Sequence, residues 1–269
     1  MNESSHLQKI ASKAQRIVVK VGTSVLAAGE GRSFQQCVQS VASEIAALWR
    51  DEKQKRQVIV VTSGAIGVGM GIMKLKNRPT ELAKLQAAAA TGQGLLMQWY
   101  TARLEEARLH AAQILLTRGD LEDPRRYLNV KATLQTLLEE GIVPIINEND
   151  TVSVEEIRYG DNDILSAHVA VLVGADLLIL LSDVDKLIGP TDPLHVVTRI
   201  TPEIERAAQG TTKEISTGGM RSKLEAAKIV MEKGIPMIVM NGRGRSNLLE
   251  VILEGKTDRG TWFIPERSM

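Results

Sequence analysis

The chain has 269 residues, of which 43% are apolar and 24% are charged, values typical of a globular protein with a substantial core. A formal net charge of +1 argues against the clustered basic face that general nucleic-acid binding needs. The single cysteine, Cys37, cannot form an internal disulfide, and we expect a reducing, cytoplasmic setting without a Cys/His metal site. The most apolar stretch, residues 169–181, is interrupted by Gly174 and Asp176 and is too short to span a membrane.

Strand-like and helix-like segments alternate along the chain, which predicts an α/β fold with a doubly wound, mainly parallel sheet. Residues 1–15 are predicted to be an N-terminal tail or a short helix. Runs rich in Val, Ile and Leu predict strands at 16–21, 57–62, 110–116, 142–147, 176–181 and 236–240. Helical spacing predicts helices near 34–53, 80–107, 124–140, 161–173, 202–209, 220–233 and 246–254. We expect two lobes that share one sheet, residues 16–174 and 175–269, with a hairpin or flap at 150–160 and an excursion at 183–200.

Three glycine-containing runs follow predicted strands or open a predicted helix. They are KVGTS at 20–24, TSGAIG at 62–67 and TGGMRSK at 217–223. Glycines there allow backbone N–H groups to approach an anion, and Lys20 and Lys223 would neutralise a phosphoryl group in transfer. Taken singly, Lys20 also fits a surface lysine beside a turn, and the glycines after Ser63 fit a flexible connection. No G-x-x-x-x-G-K-[ST] phosphate loop occurs.

Polar and acidic residues cluster at the ends of two further predicted strands and at one helix start. The run NEND occupies 147–150, GDND occupies 160–163, and Ser182 and Asp183 follow the strand at 176–181. Each residue taken alone fits a helix cap or a turn. Together the clusters would supply acceptors for an amino group, donors for a carboxylate, and a carboxylate that orders two lysines.

These motifs resemble those of the amino acid kinase family. VVKVGTS, VVTSGAI, LLTRGDLED, PIINENDTV, GDND-LSA and TGGM-SK occur in the family's order from about Arg16 to near Phe263. The resemblance implies an αβα three-layer sandwich, with an N-lobe that binds the acid substrate and a C-lobe that binds ATP. It also implies that Lys20 and Lys223 contact the transferring phosphoryl group and that Asp163 organises both lysines. The implied substrate-binding residues are Ser63, Gly64, Asp150 and Asn162. The implied nucleotide-binding residues are Lys20, Ser182, Asp183, Thr217, Gly218, Gly219, Met220 and Lys223.

The activity implied by the resemblance is phosphorylation of the side-chain carboxylate of L-glutamate by MgATP, the first step of proline biosynthesis. It further implies proline as a feedback inhibitor and a homo-oligomer, either a dimer or a tetramer, with neither nucleic acid nor membrane as a partner. Two alternatives stay open: a family enzyme acting on N-acetylglutamate, UMP, carbamate or isopentenyl phosphate, and a non-catalytic amino-acid-binding regulator. Many bacterial relatives carry a C-terminal PUA domain, and we expect this form to lack it. Lys186 and Ile188 depart from the family's usual Gly and Tyr near the nucleotide.

Overall fold

The computed structural model describes residues 3–27, 31–153, 162–190, 192–209, 219–243 and 247–266. Within these ranges the strands are β1 (Arg16–Val21), β2 (Gln57–Thr62), β3 (Ala111–Leu116), β4 (Val143–Glu148), β5 (Leu177–Ser182), β6 (Val196–Val197), β7 (Met237–Asn241) and β8 (Thr261–Phe263). The helices are α1 (Glu3–Lys13), α2 (Thr23–Leu26), α3 (Phe34–Trp49), α4 (Ala65–Ile72), α5 (Leu82–Glu106), α6 (Arg118–Glu122), α7 (Pro124–Glu139), α8 (Asn162–Val173), α9 (Pro202–Gln209), α10 (Met220–Glu232) and α11 (Asn247–Ile252).

The described strands form one eight-stranded sheet in the order β3-β4-β2-β1-β5-β7-β8-β6. All neighbouring pairs are parallel except β7 with β8. The six predicted strands are confirmed to within one residue at each end, and the predicted α/β fold class is confirmed. Because β1 lies between β2 and β5, the carboxyl ends of these three strands meet at one edge of the sheet. That edge is where ligands bind in open α/β sheets.

Both faces of the sheet are covered by helices, which explains the continuous apolar runs in the strands. On β1, Ile17 and Val19 pack into the core beside α1, α3, α5 and α11. Val18, between them, points to the opposite core beside α7, α8 and α10. The molecule therefore has three layers, αβα, with two hydrophobic cores separated by the sheet.

Two segments that broke the predicted alternation have distinct outcomes. In the predicted flap, residues 150–153 continue a turn after β4, and residues 154–160 lie outside the described residues. The excursion at 183–200 contains β6 and a bridge between Ile188 and Pro193. At the N-terminus, α1 buries Leu7 and Ala11, which selects the short helix over the frayed tail. In the part of the chain that the structure describes, no helix is both long enough and apolar enough to cross a membrane.

Helix α4 was not predicted, because its sequence contains glycines at 67, 69 and 71. The glycines allow α4 and α5 to pack backbone against backbone. A Cβ atom at Gly69 would lie 1.8 Å from the carbonyl oxygen of Ala88, and one at Gly92 would lie 2.0 Å from that of Ala65. This packing fixes the first turn of α4 against the middle of α5, next to the sheet edge where the strands end.

Candidate active site

A buried carboxylate held between two lysines lies at the edge where β1, β2 and β5 end. Asp163 Oδ1 is 2.6 Å from Lys20 Nζ, and Asp163 Oδ2 is 3.1 Å from Lys223 Nζ. The Ser222 hydroxyl donates to Asp163 Oδ2 over 2.8 Å. Asp163 is fully buried, and both lysines are less than one-tenth exposed. The cluster therefore carries two positive charges and one negative charge in a place largely shielded from water.

The electrostatics of this cluster favour the ionised carboxylate. Burial by itself would raise the pKa of Asp163, but the nearby charges of Lys20 and Lys223 and the hydrogen bond from Ser222 outweigh it and lower the pKa to about 2. Asp163 is thus ionised at neutral pH and holds both ammonium groups in fixed positions. The net positive charge of the cluster suits an anion such as a phosphoryl group.

Each lysine is positioned by a different element. Lys20 is the penultimate residue of β1. A Cβ atom at Gly22, just after the strand, would lie 3.1 Å from the carbonyl oxygen of Leu181 and 3.4 Å from Lys20 Nζ, so the chain passes close to β5 at this point. Lys223 lies in the first turn of α10, whose N-cap residue Gly219 provides no capping side chain. First-turn N–H groups without a side-chain cap, together with the Lys223 ammonium group, can form a donor set for phosphate oxygens.

A second donor set lies at the end of β2. Gly64, the N-cap residue of α4, has a φ of +105°, a conformation that glycine adopts without strain. A Cβ atom there would lie 2.6 Å from the Phe34 ring. No side chain caps α4 within the described residues. The Ser63 hydroxyl accepts a hydrogen bond from Asn162 Nδ2 over 2.8 Å and keeps its own proton to donate. Ser63 and the start of α4 can therefore bind a carboxylate.

Asn162, the first residue of α8, connects the two donor sets. It directly precedes Asp163 of the lysine cluster, and its side chain contacts Ser63 of the second set. The two N–H groups of its Nδ2 are shared among Ser63 Oγ, the carbonyl oxygen of Thr62 at 2.9 Å and Asn147 Oδ1 at 3.1 Å. Its Oδ1 is buried and has no hydrogen-bond partner among the described residues. The orientation of the amide is fixed by the Thr62 carbonyl, and the remaining oxygen is an acceptor suited to an ammonium group.

Asp150 lies in the turn after β4. Burial raises its pKa to about 6, and the positive charge of Arg78 opposes part of that shift. Burial removes the water that stabilises the charged form of this carboxylate. A cationic ligand beside it provides that stabilisation instead, so the ionised form is favoured when the ligand binds. Asp150 is therefore suited to bind an amino group.

The predicted nucleotide-binding residues are described only in part. Ser182 ends β5, and its hydroxyl lies 3.3 Å from Asp183 Oδ1. Asp183 in turn lies 3.8 Å from Arg243 Nη2. Gly219 and Met220 start α10, whereas Thr217 and Gly218 lie outside the described residues.

The structure thus brings together Lys20, Asp163 and Lys223 in one cluster and Ser63 with Asn162 in the next. Sequence reasoning missed Ser222, although a hydroxyl one residue before Lys223 in a helix start was a usable signal. It also missed Gln93, in the middle of α5, whose Oε1 accepts from Asn147 Nδ2 over 2.8 Å. Nothing local in the sequence distinguishes Gln93 from a surface glutamine.

The similarity of this chain to known proteins extends over most of its length. The model of the amino acid kinase family matches residues 15–241. The chain is 46% identical over 265 residues to a protein named glutamate 5-kinase from Moorella thermoacetica, covering 94% of this chain and 68% of that relative. It is 47% identical over 259 residues to a glutamate 5-kinase from Symbiobacterium thermophilum, covering 94% of this chain and 97% of the relative.

A solved structure shares the fold at low sequence identity. The carbamate kinase from Giardia lamblia bound to AMP-PNP superimposes with a TM-score of 0.62 at 16% identity, covering 95% of this chain and all of that one. At this identity the likeness concerns the fold alone. The sheet and the two helical layers that cover it therefore belong to an architecture that is also found in that solved structure.

Proposed function

The chain belongs to the amino acid kinase family, and we propose that it acts as a glutamate 5-kinase, transferring the γ-phosphoryl group of MgATP to the side-chain carboxylate of L-glutamate. The products are γ-glutamyl phosphate and ADP, and the reaction is the first step of proline biosynthesis. One observation carries this proposal: Asp163 holds Lys20 and Lys223 in a buried cluster beside a donor set suited to a carboxylate.

The two lysines address the main difficulty of the reaction, which is that two anions must meet. The acceptor carboxylate is already ionised at neutral pH, since a glutamate side chain has a pKa of about 4.3, and no general base is needed. Catalysis then requires in-line positioning and neutralisation of charge on the phosphoryl group in transfer. In the proposed complex Lys20 and Lys223 contact that group from β1 and α10, and Asp163 keeps both ammonium groups in place.

The proposed substrate contacts follow from the polarity of the neighbouring groups. Ser63 and the start of α4 at Gly64 donate to the carboxylate that accepts the phosphoryl group. Asn162 Oδ1 and the carboxylate of Asp150 accept from the α-ammonium group. A free amino acid fits these two acceptors, whereas the acetylated nitrogen of N-acetylglutamate carries no positive charge to satisfy them.

MgATP is a substrate of the proposed reaction, and Mg²⁺ enters bound to the ATP phosphates. Ser182 and Asp183 at the end of β5, and Gly219 with Met220 at the start of α10, are the described residues proposed to contact the nucleotide. Thr217 and Gly218 complete the proposed set. In the described part of the chain, no three His, Cys, Asp or Glu side chains are grouped so that they could hold a metal ion by themselves.

The test is ADP release from MgATP in the presence of L-glutamate, with hydroxylamine added to trap the acyl phosphate as a hydroxamate. We expect glutamate-dependent ADP release and a stoichiometric hydroxamate. Parallel reactions contain N-acetylglutamate, UMP, carbamate or isopentenyl phosphate in place of glutamate. Equal stimulation by N-acetylglutamate, or turnover with UMP alone, would contradict the assignment to free glutamate. Absence of turnover with every acceptor, together with glutamate binding, would identify a non-catalytic regulator.

We also propose that proline inhibits by competing with glutamate. Proline has the same α-carboxylate and α-nitrogen, so Asn162 and Asp150 would accept from either ligand. Inhibition should weaken as glutamate is raised, and Asn162→Ala should impair glutamate saturation and proline inhibition together. A rate unaffected by millimolar proline at sub-saturating glutamate would contradict this proposal. The homo-oligomeric state, the cytoplasmic location and the lobe boundary between residues 174 and 175 stay predictions from the sequence.

A further inference from the structure

A row of three hydrogen-bonded amides leads away from the lysine cluster. Asn162, which precedes Asp163, donates to Asn147 Oδ1 over 3.1 Å, and Asn147 Nδ2 donates to Gln93 Oε1 over 2.8 Å. The row therefore begins beside the buried carboxylate at the start of α8 and ends on α5. Its members come from three different elements, α8, β4 and α5.

The direction of every amide in this row is set by backbone groups. The carbonyl oxygen of Thr62 accepts from Asn162 Nδ2 over 2.9 Å, so the nitrogen of Asn162 must face it. The backbone N–H of Glu148 donates to Asn147 Oδ1 over 2.9 Å, so the oxygen of Asn147 must face that group. The nitrogen of Asn147 then faces Gln93, so the atom of Gln93 that accepts the hydrogen bond must be its oxygen. The atom of Gln93 that remains is the donor, Nε2.

The two ends of the row differ in polarity. Asn162 Oδ1 and Gln93 Nε2 are both buried, and neither has a hydrogen-bond partner among the described residues. One end thus offers an acceptor and the other end offers a donor. An unpaired buried donor is unfavourable, and a ligand oxygen that pairs with it removes that cost.

Gln93 is also held against the other substrate-facing segments. Gly92 meets the first residue of α4 in backbone contact, since a Cβ at Gly92 would lie 2.0 Å from the carbonyl oxygen of Ala65. Gln86, two turns earlier on the same face of α5, donates to the carbonyl oxygen of Ser153 in the turn that contains Asp150. Gln93 therefore lies between the start of α4 and the turn after β4.

We propose that Gln93 is a substrate-binding residue whose Nε2 donates to the α-carboxylate of the amino-acid substrate and contributes to substrate specificity. This inference rests on the proposed glutamate kinase function. The side-chain carboxylate must lie beside Lys20 and Lys223 to be phosphorylated. The α-carboxylate then lies towards the far end of the amide row, and the α-ammonium group pairs with Asn162 Oδ1.

The test is a change of preference between L-glutamate and L-isoglutamine, in which an amide replaces the α-carboxylate. Gln93→Glu keeps an oxygen for Asn147 Nδ2 and replaces the donor by a carboxylate oxygen. We expect kcat/KM for L-glutamate to fall by about 100-fold and that for L-isoglutamine to change by less than about threefold, because the introduced carboxylate repels one ligand and accepts from the other. Where isoglutamine is not turned over, its competitive inhibition constant replaces kcat/KM.

Gln98→Glu is the matched control, because Gln98 is exposed on the same helix and its substitution adds the same charge to α5. It should leave both constants within about twofold. If Gln93→Glu does not fold, Gln93→Met tests the same contact, with an expected loss of glutamate preference of about tenfold. If a Gln93 variant lowers kcat/KM for L-glutamate and for L-isoglutamine by the same factor, or changes neither, the inference is overturned. Lack of glutamate turnover by the parent protein would instead overturn the proposed function.

Discussion

Lys223 allows the proposed chemistry to be tested without dismantling the site. Its Nζ lies 3.1 Å from Asp163 Oδ2, and its side chain is only 7% exposed. In Lys223→Met, Asp163 keeps Lys20 at 2.6 Å and the Ser222 hydroxyl at 2.8 Å, so the buried carboxylate is not left without partners. Methionine fills most of the space of the lysine stem. We therefore expect a folded protein with a parent-like circular dichroism spectrum.

The expected loss is in kcat. Removing one preorganised electrostatic contact to developing charge typically costs about 10²–10³ in rate, and a hundredfold loss corresponds to about 2.7 kcal/mol of transition-state stabilisation. We expect a loss of kcat of this size when the ammonium group of Lys223 is removed, because that group is buried and held by Asp163. Glutamate-dependent ADP release, measured over a range of MgATP concentrations, gives kcat and KM separately.

The control for Lys223→Met is Lys228→Met on the same helix. Lys228 is 53% exposed and pairs with Glu205 on the surface, and its loss should leave kcat within about twofold. A Lys223→Met variant with normal kcat and only a raised KM for MgATP would contradict a role of Lys223 in the transfer step. Lys223 would then bind the ground-state phosphates without assisting transfer.

Two further predictions concern the acidic residues. Burial raises the pKa of Asp150 to about 6, and only its ionised form accepts from the substrate ammonium group. We therefore expect kcat/KM for glutamate, measured at saturating MgATP, to fall as the pH drops through about 6. Asp150→Asn should remove this pH dependence, and an identical pH profile in the variant would contradict the role of Asp150. Asp163→Asn leaves Lys20 and Lys223 buried without a carboxylate, so the free energy of unfolding should fall by about 3–5 kcal/mol. Urea denaturation measures this loss, and a midpoint equal to that of the parent protein would contradict the stabilising role of Asp163. In the parent, the lowered pKa of Asp163 contributes stability that is present above its ordinary value of 3.8 and is lost as the pH falls through about 2.

The fold class and the residues at the strand ends could be predicted from the sequence. Runs such as Ile17–Val19 are apolar on successive positions because both faces of the sheet are covered, and that pattern is visible without a structure. Lysine, serine and glycine directly after such runs could therefore be assigned to the ligand-binding edge. The same local signals failed for α4, whose glycines predict a loop. In the structure they lie in a helix whose backbone packs directly against that of α5.

Which of these residues come into contact depends on the packing of segments that are distant in the chain. Lys223 and Asp163 are 60 residues apart, and their contact depends on α8 and α10 packing together on one face of the sheet. The sheet order places β1 between β2 and β5, and no local pattern specifies that order. Gln93 illustrates the same limit, since a glutamine in the middle of a helix acquires its role only from Asn147, which another strand brings within 2.8 Å. Residue types and periodicity identify the groups that can do chemistry, whereas burial, pKa and hydrogen-bond direction arise from neighbours that are distant in the chain.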